Sequence, residues 1–157
     1  MPLYSIDTSC LINAWNKTYQ PDLFPSIWQH IESLWREGAV VITEQVFHEI
    51  ERKDDAIHAW CQERKELFVP IDDALQDKLA LLMTNHERIA AVGDGRNFAD
   101  PWVIALAQTF SPALTVVTEE DKGKETNPKI PYLCDKEGLK CINFNMLLRA
   151  TSWRERI

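Results

Sequence analysis

The chain has 157 residues, of which 45% are hydrophobic and 26% are charged, and its formal net charge at pH 7 is −7. This length suits one domain (residues 1–157) with a sizeable core, and the acidic balance argues against sequence-blind binding to nucleic-acid phosphates, which depends on clustered Lys and Arg. No apolar run approaches the roughly 18–20 residues of a membrane span, and the first residues lack a secretory signal. The four cysteines lack C-x-x-C spacing. The sequence therefore favours a cytoplasmic protein with reduced thiols and no membrane segment.

The first half of the chain alternates apolar strands with amphipathic helices. Leu3–Ile6 is typical of a short buried strand, and Ala39–Thr43 is a β-branched run typical of a strand covered on both faces. Between them, Pro25 and Gly38 mark the beginning and the end of a helix. The apolar residues of that helix, at helical spacing, are Ile27, Trp28, Ile31, Leu34 and Trp35. Two further helices are predicted, one over EQVFHEIERK and one that carries Ile57, Trp60 and Cys61.

The middle of the chain predicts a brief strand, a long helix and a loop. The strand is placed at Phe68 and Val69, and the helix begins near the Asp72–Asp73 cap. Apolar residues recur at helical spacing as far as Ile89. The glycines of VGDGRN then indicate a loop.

The last third returns to the alternating pattern. DPWVIALAQ predicts a helix with Asp100 as N-cap and Pro101 at the first helical position. Leu114–Thr118 predicts a buried strand, and Glu119–Pro131 predicts a polar loop. LKCIN and FNMLLRA predict a final strand and a final helix. Strands that alternate with helices indicate an α/β fold, with a mainly parallel sheet between two layers of helices.

Acidic residues fall at corresponding places in this topology. Asp7 follows the first predicted strand, and the cluster Glu119–Asp121 follows Leu114–Thr118. Glu49 borders the apolar face of its helix, and Asp100 lies at a helix start beside core residues. Because ligands of open parallel sheets bind beyond the carboxyl ends of the strands, we expect these acids to share one site.

A shared site for four carboxylates requires a counter-charge, since each carboxylate would resist ionisation beside the others. Mg²⁺ or Mn²⁺ takes oxygen ligands and keeps water available for chemistry. Each acid also has a local alternative. Asp7 and Asp100 could cap helices, Glu49 could be solvated or paired with the basic residues after it, and Glu119–Asp121 could be a polar turn.

Four of these motifs, in order, resemble the PIN domain, the superfamily of the VapC-like toxin nucleases. IDTS (Ile6–Ser9) resembles its N-terminal strand that ends in Asp, and VVITEQVFHEIER resembles its strand and helix that carry Glu, here Glu49. ADPWVIALA resembles the helix that begins at Asp, here Asp100. VVTEE resembles the last strand, with Glu120 at the usual acidic position. The resemblance spans nearly the whole chain and implies a PIN-like three-layer α/β/α sandwich.

Two departures mark the chain as a divergent branch of that superfamily. The fourth position is Glu where Asp is more usual, and Glu119 and Asp121 are rival candidates for it. The following segment, DKGKETNPKIPYLCDKEG, is longer than in the commonest toxin members.

The resemblance implies a metal-dependent endoribonuclease, the toxin of a prokaryotic toxin–antitoxin pair, which is dimeric and is inhibited by a small antitoxin protein. Asp7, Glu49, Asp100 and Glu120 would then be the catalytic acids and would hold one or two Mg²⁺ or Mn²⁺ ions, directly or through water. The substrate would be an RNA phosphodiester, hydrolysed by a metal-activated water.

Other residues beside the motifs would support this chemistry. Thr8 or Ser9 would orient Asp7 or contact phosphate. Five basic residues lie next to the acidic motifs and could form a phosphate-binding rim: Arg52, Lys53, Arg96, Lys122 and Lys124. The alternative is that these five are ordinary surface charges.

Two other functions fit the same residues. One is a catalytically silent PIN fold that acts only as a binding module. The other is a different Mg²⁺-dependent phosphoester or phosphoryl-transfer domain, although haloacid-dehalogenase-like folds need a second Asp two residues after the first, where this chain has Ser9. Metal-dependent RNA cleavage that Asp7→Asn abolishes would separate the nuclease from the module.

Overall fold

The computed structural model describes residues 1–86, 99–121, 123–124 and 127–153. In that part of the chain the α-helices are α1 (Thr8–Asn13), α2 (Pro25–Glu37), α3 (Glu44–Lys53), α4 (Asp55–Gln62), α5 (Asp73–Asn85), α6 (Asp100–Gln108), α7 (Ile130–Glu137) and α8 (Phe144–Ala150). The strands are β1 (Tyr4–Ile6), β2 (Val40–Val41), β3 (Thr115–Val117), β4 (Gly123–Lys124), β5 (Asn127–Pro128) and β6 (Cys141–Ile142). A π-helical turn (Ala14–Thr18) continues α1, and a 3₁₀ turn (Lys65–Leu67) follows α4.

A four-stranded parallel sheet forms the centre of the fold, in the order β2-β1-β3-β6. Ser5 pairs with Val41 on one side and with Val116 on the other, so β1 is an inner strand. Helices flank this sheet, and the predicted α/β class with a central parallel sheet between helical layers is confirmed. The strands β4 and β5 form a separate antiparallel pair.

The core lies between this sheet and its helices, and α6 is its most buried helix. Val103, Ile104, Ala105 and Ala107 of α6 are fully buried. A helix that is apolar on nearly every side requires packing on nearly every side, which the sheet and α5 provide. Ser5 of β1 ties the sheet to α6, because its hydroxyl donates to the carbonyl of Val103 at 2.9 Å.

Most predicted helices match the structure. Pro25 opens α2, and Gly38 ends it in the left-handed conformation, with φ 85°. EQVFHEIERK forms α3, and Asp72 caps α5 by accepting a hydrogen bond from the backbone N–H of Leu75 at 2.8 Å. Ile89 and the VGDGRN segment lie outside the described residues.

Three local predictions were wrong. The run Ala39–Thr43 pairs as a strand only at Val40–Val41, and the expected strand at Phe68 and Val69 is a single bridge between Val69 and Thr43. Asp100 is the first residue of α6, and Ala99 takes the N-cap position.

The expected loop Glu119–Pro131 is also partly wrong, because it contains a short hairpin and the start of a helix. Strands β4 and β5 pair within it, and α7 begins at Ile130 with a proline in its first turn. Among the described residues, no helix combines the length and the apolar character needed to cross a bilayer.

Candidate metal centre at the carboxyl end of the sheet

The order of the strands creates a crevice where β1 and β3 end. The chain goes from β1 to β2 on one side and then returns to β3 on the other side of β1. This reversal is a topological switch point, where open α/β sheets bind their ligands. A cavity of about 300 Å³ lies there, lined by Asp7, Thr8, Ser9, Ile12, Asn13, Asn16, Lys17, Glu49, Lys53, Asp100 and Glu120.

Three carboxylates converge in this cavity. Asp7 follows β1, Asp100 begins α6, and Glu120 follows β3. One carboxylate oxygen from each lies within 4.8 Å of the others. Asp7 is 1% exposed and Asp100 is 7% exposed, so water screens their repulsion poorly.

Hydroxyl groups hold one oxygen of Asp7 and leave the other unpartnered. Oδ2 accepts from Ser9 Oγ at 2.6 Å and from Thr118 Oγ1 at 2.9 Å. Oδ1 is buried and has no hydrogen-bond partner among the described residues. Asp7 occupies the N-cap position of α1, but its side chain makes no capping bond. The local alternative, a helix cap, therefore does not account for this buried acid.

Both hydroxyls are oriented by the backbone of the segment after β3. The N–H of Glu119 donates to Ser9 Oγ at 3.2 Å, and the N–H of Glu120 donates to Thr118 Oγ1 at 3.1 Å. Each hydroxyl therefore accepts from a backbone N–H and donates its own proton to Asp7 Oδ2, and the two hydroxyl oxygens lie 3.1 Å apart. These bonds connect the position of Asp7 to that of Glu120.

The protonation of the site reflects burial and mutual repulsion. Burial, with the negative charge of Glu120, raises the pKa of Asp7 to about 7, against the lowering effect of its bonds from Ser9 and Thr118. Burial, then the charges of Asp7, Glu120 and Glu49, raise the pKa of Asp100 well above its usual value. A hydrogen bond to Glu120 also favours the protonated form of Asp100. Such a site holds protons where no cation neutralises it.

Glu49 lines the same cavity but has its own protein partners. It is 2% exposed, and its Oε2 accepts from the backbone N–H of Ala99 at 2.9 Å. Its Oε1 lies 3.3 Å from Lys53 Nζ. It is outside the group of three oxygens within 4.8 Å, although its charge raises the pKa of both Asp7 and Asp100.

The geometry distinguishes the three candidates for the fourth acid. Glu120 lines the cavity, and its Oε1 accepts from the N–H of Ile130 at 3.2 Å. Glu119 points elsewhere, since its Oε1 accepts from the N–H of Phe144 at 2.9 Å. Asp121 is 79% exposed and lies 3.6 Å from Lys129 Nζ. Only Glu120 faces the other acids.

Two lysines line the cavity in the part of the chain that the structure describes. Lys53 was expected from the sequence, whereas Lys17 was not. Of the other predicted basic residues, Arg52 is not among the residues that line the cavity, whereas Arg96, Lys122 and the side chain of Lys124 lie outside the described part of the chain.

Sequence reasoning also missed a hydroxyl and two amides. Thr118 is 4% exposed and contacts Asp7 directly, and its position directly after a buried strand repeats the pattern of a strand followed by polar residues, which could have identified it. Asn13 and Asn16 line the cavity without any signal in the sequence. Thr8 lines it too, and its buried Oγ1 has no partner among the described residues.

A family-level comparison covers almost the whole chain. The family described as Domain of unknown function (DUF4411) matches residues 4–155. The chain belongs to this family. Comparison with curated proteins finds no match.

The residues of this DUF4411 domain fit a hard divalent cation. Asp7, Asp100 and Glu120 offer oxygen ligands close together, the donor type that Mg²⁺ and Mn²⁺ prefer. The unpartnered Oδ1 of Asp7 is a buried polar atom that a protein normally satisfies. A cation would satisfy it and would relieve the repulsion that raises the pKa values of the site.

Proposed function

We propose that this protein is a metal-dependent endoribonuclease of the PIN type that hydrolyses RNA phosphodiesters with Mg²⁺ or Mn²⁺. One observation carries the proposal. Three buried or half-buried carboxylates meet at the switch point of a parallel sheet, and the innermost of them, Asp7, has an oxygen with no protein partner. The ordered PIN-like motifs of the sequence supply the link from a metal site to RNA.

Asp7, Asp100 and Glu120 would hold the cation directly. Glu49, which lines the same cavity, would contact the cation through water. The chemistry supplied by such a cation would be a lowered pKa of a bound water and the polarisation of a phosphoryl oxygen. Ser9 and Thr118 keep one oxygen of Asp7 fixed, and the other oxygen, which has no partner among the described residues, would be available to the cation.

Lys17 and Lys53 would neutralise the phosphate of the substrate at the rim of the cavity. The side chain of Lys53 is 36% exposed, and its Nζ lies 3.3 Å from Glu49 Oε1. These two local cations would offset part of the repulsion between RNA phosphates and a chain whose net charge is −7. Binding would therefore weaken with salt, because phosphate contacts release counterions.

The toxin role, the small antitoxin protein and the homodimer remain predictions. They rest on the resemblance of IDTS, VVITEQVFHEIER, ADPWVIALA and VVTEE to PIN-type toxins. Co-expression of a small neighbouring reading frame that suppresses toxicity would support the toxin role.

Incubation of the purified protein with a panel of single-stranded RNAs, in Mn²⁺ or in EDTA, tests the proposal. We expect cleavage in Mn²⁺ only, and we expect Asp7→Asn to abolish it. Asp77→Asn is the matched control, because Asp77 is exposed on α5 and does not line the cavity. Mn²⁺ binding without cleavage would favour the silent binding module, and the absence of both would overturn the proposal.

A further inference from the structure

A second cavity adjoins the candidate metal centre. It has a volume of about 230 Å³ and lies between the end of α1 with its π-helical turn and the start of α8. Asn13 lines both cavities, and the consecutive residues Glu119 and Glu120 divide between them. We define the polar side pocket as the second cavity, with the polar side chains of Asn13, Thr18, Tyr19, Glu119, Asn143 and Asn145.

The amides of this pocket use their oxygens within the protein. Asn143 Oδ1 accepts from the backbone N–H of Met146 at 2.8 Å, which fixes the orientation of that amide. Asn13 Oδ1 accepts from Thr18 Oγ1 at 2.8 Å, and Asn145 Oδ1 accepts from Tyr19 Oη at 3.2 Å. The three Nδ2 groups have no bond to another described residue, so the pocket offers three hydrogen-bond donors.

Glu119 supplies the complementary acceptor. Its Oε1 accepts from the N–H of Phe144 at 2.9 Å, while its Oε2 has no bond to a described residue. The side chain is exposed, and a carboxylate accepts hydrogen bonds only. The pocket therefore combines several donors with one charged acceptor.

This pattern fits the hydrogen-bonding groups of guanine on its Hoogsteen and Watson–Crick edges. Guanine presents the acceptors O6 and N7, which match amide donors, and the N1–H and N2–H₂ donors, which match a carboxylate. Adenine presents an amino donor and a ring acceptor where guanine has the reverse, so its N1 would face the carboxylate of Glu119. Sequence-specific recognition of RNA uses unpaired bases read on such edges.

We propose that the polar side pocket binds an unpaired guanine next to the scissile phosphate of the RNA substrate. The inference rests on the proposed nuclease function, since the adjoining cavity would hold that phosphate. Asn13 connects the two, because it lines both cavities. Glu119 and the amide of Asn145 select the base, and the acids of the metal centre act on the backbone.

Glu119→Gln is the decisive variant. Glutamine retains an oxygen for the N–H of Phe144 but replaces the unpartnered acceptor with a donor. Asp121→Asn is the matched control, because it removes the same charge from the same segment at a residue that lines neither cavity. Asn145→Ala is a second variant, which removes one donor from an exposed position.

The assay measures equilibrium binding of short uridine-rich RNAs that contain a single guanine or a single adenine, in EDTA, by fluorescence anisotropy. We expect the guanine RNA to bind the natural protein about tenfold more tightly, the low end for one bidentate base contact. Glu119→Gln should reduce this ratio to about one, Asn145→Ala should lower it, and Asp121→Asn should leave it unchanged. Cleavage mapping in Mn²⁺ should place the cut beside guanine.

Three results would overturn the guanine site: equal binding of the two RNAs, no measurable binding of either RNA up to about 1 mM, or an unchanged ratio in Glu119→Gln. Cleavage in Mn²⁺ without base preference would remove the guanine site and leave the nuclease proposal intact. Guanine-dependent binding without cleavage would remove the nuclease proposal and leave the guanine site intact.

Discussion

Replacing Asp7 by Asn removes a charge from a side chain that is 1% exposed, and we expect the metal-free protein to become more stable at pH 8. The amide is close in shape to the protonated carboxyl group. Its oxygen can accept from Ser9 and Thr118, and its NH₂ group can donate to the neighbouring carboxylates. The substitution therefore removes repulsion without removing packing.

The size of the effect follows from the pKa of Asp7. Burial raises this pKa from 3.8 to about 7, so between these pH values the folded state binds more protons than the unfolded state. The natural protein therefore loses stability as the pH rises through that window, and the loss is complete above about pH 7. At about 1.4 kcal/mol per pH unit, the loss has an upper value of about 4 kcal/mol, or about 10 °C in Tm for a domain of this size.

Thermal unfolding in EDTA between pH 4 and pH 8 measures this difference, with Asp77→Asn as the control for an exposed acid. The gain in Asp7→Asn should be largest at pH 8 and should shrink towards pH 4. Addition of Mn²⁺ should stabilise the natural protein and leave Asp7→Asn unchanged. A variant that is less stable than the natural protein at pH 8 in EDTA would refute the account of a buried, repelled charge.

Three further changes give measurable outcomes. Thr118→Val removes the hydroxyl that donates to Asp7 at 2.9 Å, and calorimetry should show Mn²⁺ affinity lower by about 10–100-fold; an unchanged affinity would separate Thr118 from the site. Mn²⁺ affinity of the natural protein should fall as the pH drops below about 7, because protons compete for Asp7, and a pH-independent affinity would contradict this. Gly38→Ala should lower the free energy of unfolding by about 1 kcal/mol in urea titrations, because Gly38 has φ 85° at the end of α2; an unchanged midpoint would argue against that strain.

The sequence predicted most helices and the fold class, because these depend on local signals. Periodic apolar residues with Pro25 and Gly38 at their ends specified α2, and β-branched runs specified the buried strands. The start of α7 was missed because Pro131 was taken as a loop signal, although proline suits the first turn of a helix. Strand length was overestimated because pairing depends on the neighbouring strand, and β1 ends at Ile6.

The part of the candidate site that depends on strand topology was predictable from the sequence. Acids at the carboxyl ends of parallel strands must lie near one another, and this rule identified Asp7 and the segment of Glu120. The choice of Glu120 over its neighbours depends on which side chains the start of α8 and Lys129 engage, which no local pattern encodes. The contact between Thr118 and Asp7 likewise depends on side-chain geometry across the sheet.

The hydrogen bond from the backbone N–H of Ala99 to Glu49 means that Glu49 helps to position Asp100. Glu49 Oε2 fixes the residue directly before Asp100, so truncation at position 49 would displace Asp100 as well as remove a carboxylate. In an assay of the proposed nuclease activity, Glu49→Ala would therefore overstate the direct contribution of the Glu49 carboxylate. Glu49→Gln keeps an acceptor for the N–H of Ala99. The difference in that assay between the glutamine and alanine variants would measure how much of the loss in Glu49→Ala comes from the displacement of Asp100.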